Sequence, residues 1–127
     1  MKIRILGNSL RLRLTQSEVQ NLLSEGKVKE SISFGPSSAQ QLNYIFKKAA
    51  TTEIAASFNG NIISILVPND IADQWANSTQ ISMEAQLPIG NGAQLKILIE
   101  KDFKCLTDRA GEDESDMFPN PEVGEKC

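Results

Sequence analysis

At 127 residues, with 40% apolar and 23% charged side chains, the chain has the size and composition of one globular domain, which at this length buries roughly 65–70% of its unfolded surface. It carries a net charge of −3 and no histidine, which removes the commonest general base and metal ligand near neutral pH. Serine–histidine and cysteine–histidine nucleophile systems and two-histidine zinc sites are thereby excluded, so catalysis must rest on carboxylates, lysines, Tyr44 or a lone cysteine.

From the first residues the pattern is that of strands. Met1-Lys2-Ile3-Arg4-Ile5 alternates charge with apolar side chains and lacks the apolar run of roughly 7–15 residues of a secretory leader. Gly7-Asn8 is turn chemistry, and Leu10, Leu12 and Leu14 alternate with Arg11 and Arg13, so the two runs read as a hairpin. Thr15 and Glu18 form a capping box ahead of Val19, Leu22 and Leu23, which predicts a helix to about residue 25 that Gly26 ends in a left-handed conformation. Val28, Glu30, Ile32 and Phe34 share one parity and predict a third strand, in which Glu30 is an imperfection.

Residues 39–50 fit both periods, because Leu42, Tyr44 and Phe46 alternate while Leu42, Ile45, Phe46 and Ala49 also suit a helix; the strand is favoured. Asn59-Gly60-Asn61 between two apolar runs is the clearest hairpin signal in the chain. Pro68 ends the second of these strands, and Asn69 or Asp70 is expected to cap a short helix whose Trp75 lies against the sheet. Ile81, Met83, Ala85 and Leu87, a turn from Pro88 to Gly92, and then Leu95, Ile97 and Ile99 make another hairpin.

These elements predict a mainly β (α+β) fold. About eight strands in near-consecutive antiparallel order, with two short helices, form a curved antiparallel β-meander or a partly closed barrel. Residues 1–106 form the β-rich domain and 107–127 an extended, acidic, proline-containing tail; no internal repeat is legible. No stretch approaches the ~20 apolar residues of a spanning helix, so a cytoplasmic protein without membrane contact is expected. Cys105 and Cys127 do not make a disulfide framework and are expected to be reduced.

Charge is distributed unevenly. Residues 1–48 hold eight Lys and Arg against three Asp and Glu, and residues 49–127 hold five against thirteen. Such a split suits an intramolecular match better than nucleic-acid binding. Lys2, Arg4, Arg11 and Arg13 share one face of the first hairpin, where arginine forks suit phosphate or carboxylate; a plain solvated sheet face is the competing reading. Were those side chains to line a barrel interior, Glu84, Glu100 and Lys101 would complete a tunnel resembling that of triphosphatases. The paired N-terminal glutamates that hold metal in that family are missing here.

Asp102, Cys105, Asp108, Glu112, Asp113, Glu114 and Asp116 lie in a carboxylate-rich stretch that lacks the order of a calcium loop. A hard cation or a tail-docking contact is the functional alternative to a solvated acidic loop there, and Phe118 with Pro119 would anchor the tail. No cofactor is predicted, and neither a metal nor a catalytic residue is assigned.

Two blocks of the sequence carry a family resemblance. They are Met1-Lys2-Ile3-Arg4 with Asn8-Ser9 and Arg11-Leu12-Arg13-Leu14-Thr15, and Glu100-Lys101-Asp102-Phe103-Lys104-Cys105-Leu106 continuing through Glu112-Asp113-Glu114-Ser115-Asp116 to Phe118-Pro119-Asn120-Pro121. The chain resembles an uncharacterised family of small bacterial proteins, largely from Bacteroidetes. The resemblance lends no activity, substrate or cofactor, but implies that the basic strands and the Cys-containing acidic tail form one surface. The functional expectation is a non-enzymatic module that binds a protein or a small anionic ligand. The alternative is a metal- or phosphate-dependent enzyme using Glu84, Glu100, Asp102 and the arginine row.

Overall fold

A computed structural model describes residues 1–103, 116, 118 and 119. In chain order the elements are β1 (Lys2–Leu6), β2 (Ser9–Leu14), α1 (Gln16–Glu25), β3 (Lys27–Ser33), β4 (Gln41–Ala49), β5 (Ala55–Asn59), β6 (Ile62–Pro68), α2 (Asn69–Asn77), β7 (Ser82–Gly90) and β8 (Ala93–Lys101). A single 3-10 turn at Ser38–Gln40 precedes β4, so the ambiguous stretch is a strand. No helix among the described residues is long and apolar enough to cross a membrane.

Local chemistry sets most of these boundaries. Thr15 Oγ1 accepts from Glu18 N while Glu18 Oε1 accepts from Thr15 N at 2.9 Å, closing the capping box. Gly26 stops α1 at φ +80° with its N–H on Leu22 O, a conformation that a Cβ disfavours. Gly60 and Asn61 both have positive φ, 55° and 64°, the pairing that matches the twist of a two-residue hairpin. Two boundaries differ from expectation. Pro68 occupies the cap position of α2 without a side-chain hydrogen bond, so Asn69 and Asp70 lie inside the helix. The last hairpin turns at Asn91 and Gly92, because β7 runs through a bulge between Pro88 and Gly90.

The strands form two mixed four-stranded sheets, β1-β2-β8-β7 and β3-β4-β6-β5, neither of which closes into a barrel. Outer pairs are antiparallel, but the central pairs β2–β8 and β4–β6 are parallel. That arrangement replaces the consecutive antiparallel meander, since alternation tells which face of a strand is buried and not which strand lies beside it.

The topology also contains a duplication. Residues 2–49 and 55–101 are each a ββαββ unit, and each sheet joins the first hairpin of one unit to the second hairpin of the other. The registers coincide: Ile3, Leu12, Ile99 and Met83 form one inward row, and Ala56, Ile65, Phe46 and Val28 form its counterpart.

These inward faces meet α1 and α2 in one core. Trp75 is fully buried, meets Phe46 edge-on at 6.3 Å, and donates from Nε1 to Ile81 O at 3.0 Å. An indole in a core requires such an acceptor for its N–H. Glu30, the polar residue on the inward face of β3, is satisfied by the Met1 ammonium at 3.2 Å, which also pairs with Glu18. Tyr44 donates to Met1 O at 3.1 Å, and burial, then the nearby Glu30 charge, raises its phenol above the usual value.

Candidate functional site

With the inward positions of β1, β2, β8 and β7 apolar, their alternate positions form an outward polar face. Strand register orders that face into rows. Lys2, Arg13, Glu100 and Ser82 make one row; Arg4, Arg11, Leu98 and Glu84 the next; Leu6, Ser9, Lys96 and Gln86 the third. The arginine row of the sequence is therefore a real surface, facing away from the core.

Two carboxylates neutralise one end of it. Glu100 Oε1 accepts from Arg11 Nε at 2.5 Å and lies 3.2 Å from Arg13 Nε. Asp102 has 0% exposure. Lys2 Nζ lies 3.1 Å from its Oδ2, and an Arg13 terminal nitrogen 3.8 Å from its Oδ1. Neither oxygen of Asp102 has an aligned hydrogen bond, so charge alone holds this carboxylate. Together with Lys48–Asp73, these pairs join the basic N-terminal part of the chain to the acidic remainder, which is the intramolecular match that the charge asymmetry suggests.

The other end is not neutralised. Arg4 stands directly across from Arg11, an arrangement of like charges that destabilises a strand pair. No ion pair or hydrogen bond reaches the side chains of Arg4, Lys96 or Glu84 from the described residues. These three side chains, with Arg11, Ser9, Gln86 and Leu98, line a pocket of about 490 Å³.

The duplicated fold supplies its own control. The row equivalent to Arg4, Arg11, Leu98 and Glu84 in the other sheet is Ser57, Ser64, Ile45 and Lys29. The apolar third position is kept, whereas the arginines are serines and the glutamate is a lysine. Two arginines face to face are thus not a requirement of this architecture.

The tail residues take a different place from the one expected. Asp116 O accepts from Gln16 N at 2.8 Å, and Asp116 Oδ1 accepts from Ser17 N at 3.0 Å. With Glu18 N donating to Thr15 Oγ1 and Thr15 N to Glu18 Oε1, all four open N–H groups of the α1 N-terminus are filled. Phe118 packs on Phe103 at 5.8 Å, and its N–H bonds Asp102 O at 2.8 Å. The Phe118 ring also meets Lys101 Nζ at 5.3 Å. The described tail residues therefore dock at α1 and the end of β8, and the arginine row takes its carboxylates from β8 and Asp102.

Lys101 is buried on the inward face, donates to Ser78 O at 2.7 Å and sits 5.7 Å from the Trp75 ring; burial lowers its pKa. Strand alternation separates it from Glu100 and Glu84, so the three do not form the common row that a tunnel requires. Cys105, Asp108 and Asp113, and the expected domain boundary at 106, lie outside the described residues. Among the described residues no three His, Cys, Asp or Glu side chains are grouped to hold a metal ion. Lys96 and Leu98 went unrecognised as site residues in the sequence, although their parity with Glu100 places them on its face.

The Asp116 carboxyl is held below its ordinary value, chiefly by the Ser17 hydroxyl. A lowered carboxyl pKa contributes stability that is complete above the ordinary carboxylate range and is lost as the pH falls through the lowered value. Asp116→Ala is therefore expected to cost about 1 kcal/mol in urea unfolding at pH 7. The difference from the parent protein should shrink well below pH 4; a difference equally large in acid would contradict the cap.

No curated protein and no solved structure matches the chain. A family model described as a family of unknown function (DUF7009) matches residues 1–122, which takes in both hairpin-exchanged units, the arginine face and the docked Asp116 and Phe118, and the chain belongs to that family.

Proposed function

We propose that the outward face of β1-β2-β8-β7 binds a small anion, phosphate or carboxylate, in the pocket lined by Arg4, Arg11 and Lys96. The reading rests on one observation: Arg4 faces Arg11 across the strand pair with no counter-charge of its own among the described residues. A bound oxyanion relieves that repulsion and accepts from the Arg4 fork and from the Arg11 donors that Glu100 leaves free. Arg11 is pre-oriented for this by Glu100, which fixes its side chain without occupying the pocket end. The protein acts as a binding module in this reading.

Isothermal titration calorimetry with inorganic phosphate and pyrophosphate tests it. The parent protein binds one equivalent, and Arg4→Gln weakens binding on the order of tenfold or more. Ser57→Ala, at the equivalent place in the other sheet, leaves binding unchanged. Undiminished affinity in Arg4→Gln refutes the assignment. The same samples, given magnesium and tripolyphosphate, separate binding from the enzymatic alternative, because only an enzyme releases phosphate.

A further inference from the structure

The row that contains the two arginines ends on a carboxylate. Going across β1, β2, β8 and β7, the residues are Arg4, Arg11, Leu98 and Glu84. Arg4, Arg11 and Glu84 all line the same pocket of about 490 Å³, and Leu98 lies between them. We infer that the ligand is a zwitterion, with its anionic group at Arg4 and Arg11 and a primary ammonium at Glu84. The inference rests on the anion-binding reading and goes further by naming the second charge.

Glu84 carries its charge alone among the described residues. It has no ion-pair partner among them, although Lys96 stands diagonally on the neighbouring strand and Arg11 and Arg4 stand two and three strands away on the same face. Neighbouring strands lie about 4.8 Å apart, so the Arg11 and Glu84 backbones are separated by roughly 10 Å, and Arg11 is turned instead to Glu100. A ligand that spans part of this distance can satisfy both ends at once. A purely anionic ligand leaves Glu84 as a like charge beside it, and that arrangement opposes binding.

The middle of the row is apolar. Leu98 separates the charges and is half-buried, which gives a short methylene chain an apolar surface to lie on. An α-amino acid, whose two charges share one carbon, is too short for this spacing. Compounds with two or more carbons between the charged groups fit, such as an aminoalkyl phosphate or an ω-amino acid. The equivalent row of the other sheet keeps the apolar residue but has Lys29 in place of Glu84 and serines in place of the arginines. The dipolar arrangement is thus confined to this face. A divalent cation is a poorer occupant of the Glu84 end, since no group of three potential ligand side chains occurs there among the described residues.

Calorimetric titration with two matched pairs of probes tests the inference. One pair is O-phosphoethanolamine and ethyl phosphate; the other is 5-aminopentanoate and pentanoate. In the parent protein the ammonium-bearing member of each pair is expected to bind about tenfold more tightly. Glu84→Gln removes that advantage and leaves ethyl phosphate binding equal or stronger. Equal affinity within the pairs, or an advantage that survives Glu84→Gln, overturns the dipolar ligand while leaving the anion site standing. If none of the four probes binds, the anion-binding reading and this inference fall together.

Discussion

Replacing Lys2 and Arg13 together with methionine is expected to lower folding stability by about 3–5 kcal/mol, because the change strips a fully buried carboxylate of its cations. Asp102 has no aligned hydrogen-bond donor on either oxygen. Its charge is balanced only by Lys2 at 3.1 Å and Arg13 at 3.8 Å among the described residues. In the double variant the desolvation cost of the carboxylate persists and the attraction that offset it is gone. Adding Asp102→Asn to the double variant should restore most of the loss, since a neutral amide of the same shape carries no such cost. Urea unfolding of the parent, double and triple variants measures this as a coupling between sites. Equal stability of the double and triple variants would falsify the role assigned to the pair of cations. The same geometry explains why the row holding Arg13 is structural and why the next one is the row proposed for binding. Carboxylates of the chain itself fill the first, and none among the described residues reaches Arg4 in the second.

Trp75→Ala is expected to cost about 3–5 kcal/mol, a large share of the ~5–15 kcal/mol that holds a domain together. The indole is fully buried where α2 crosses Phe46 of β4, and its N–H holds Ile81 O at the entrance to β7. Truncation opens a cavity at the joint where one ββαββ unit passes from its first sheet to the other, and it leaves Ile81 O with only its bond from Lys101 N. Trp75→Phe keeps most of the ring contact and loses the donor, which limits the cost to about 0.5–1.5 kcal/mol. Thermal melts followed by far-ultraviolet circular dichroism rank the two variants. Comparable losses in both place the effect in the hydrogen bond; a loss confined to alanine places it in packing.

Much of the local structure was legible because it depends on neighbours in the chain. Alternation of Leu10, Leu12 and Leu14 with Arg11 and Arg13 needs only the two-residue period of a strand. The box of Thr15 and Glu18 and the left-handed Gly26 need only one helix end. Asn59-Gly60-Asn61 closes a hairpin through two positive φ angles that these residues tolerate. The face shared by Lys2, Arg4, Arg11 and Arg13 followed from the same reasoning, since a hairpin fixes its own register.

What lay beyond reach depends on residues far apart in sequence. Nothing in β2 indicates that β8 lies beside it in parallel, about 85 residues further on, so neither Lys96 nor Leu98 joined the arginines until the sheets were assembled. The duplication escaped notice because the two units share buried positions and little else: Leu12 corresponds to Ile65 and Ile99 to Phe46, while Arg11 corresponds to Ser64 and Glu84 to Lys29. Asp116 reads as one more acidic tail residue, yet it caps a helix 99 positions earlier in the chain.

Taken by itself, the sequence determined the strands, the helix ends and which side of each strand meets the core, because periodicity and turn stereochemistry act over a few residues. Tertiary structure alone decided which strands lie beside each hairpin, and therefore that no counter-charge among the described residues reaches Arg4 while Asp102 is buried beneath Lys2 and Arg13. Charge balance is a property of distances in space, and those are set by how the two units exchange hairpins.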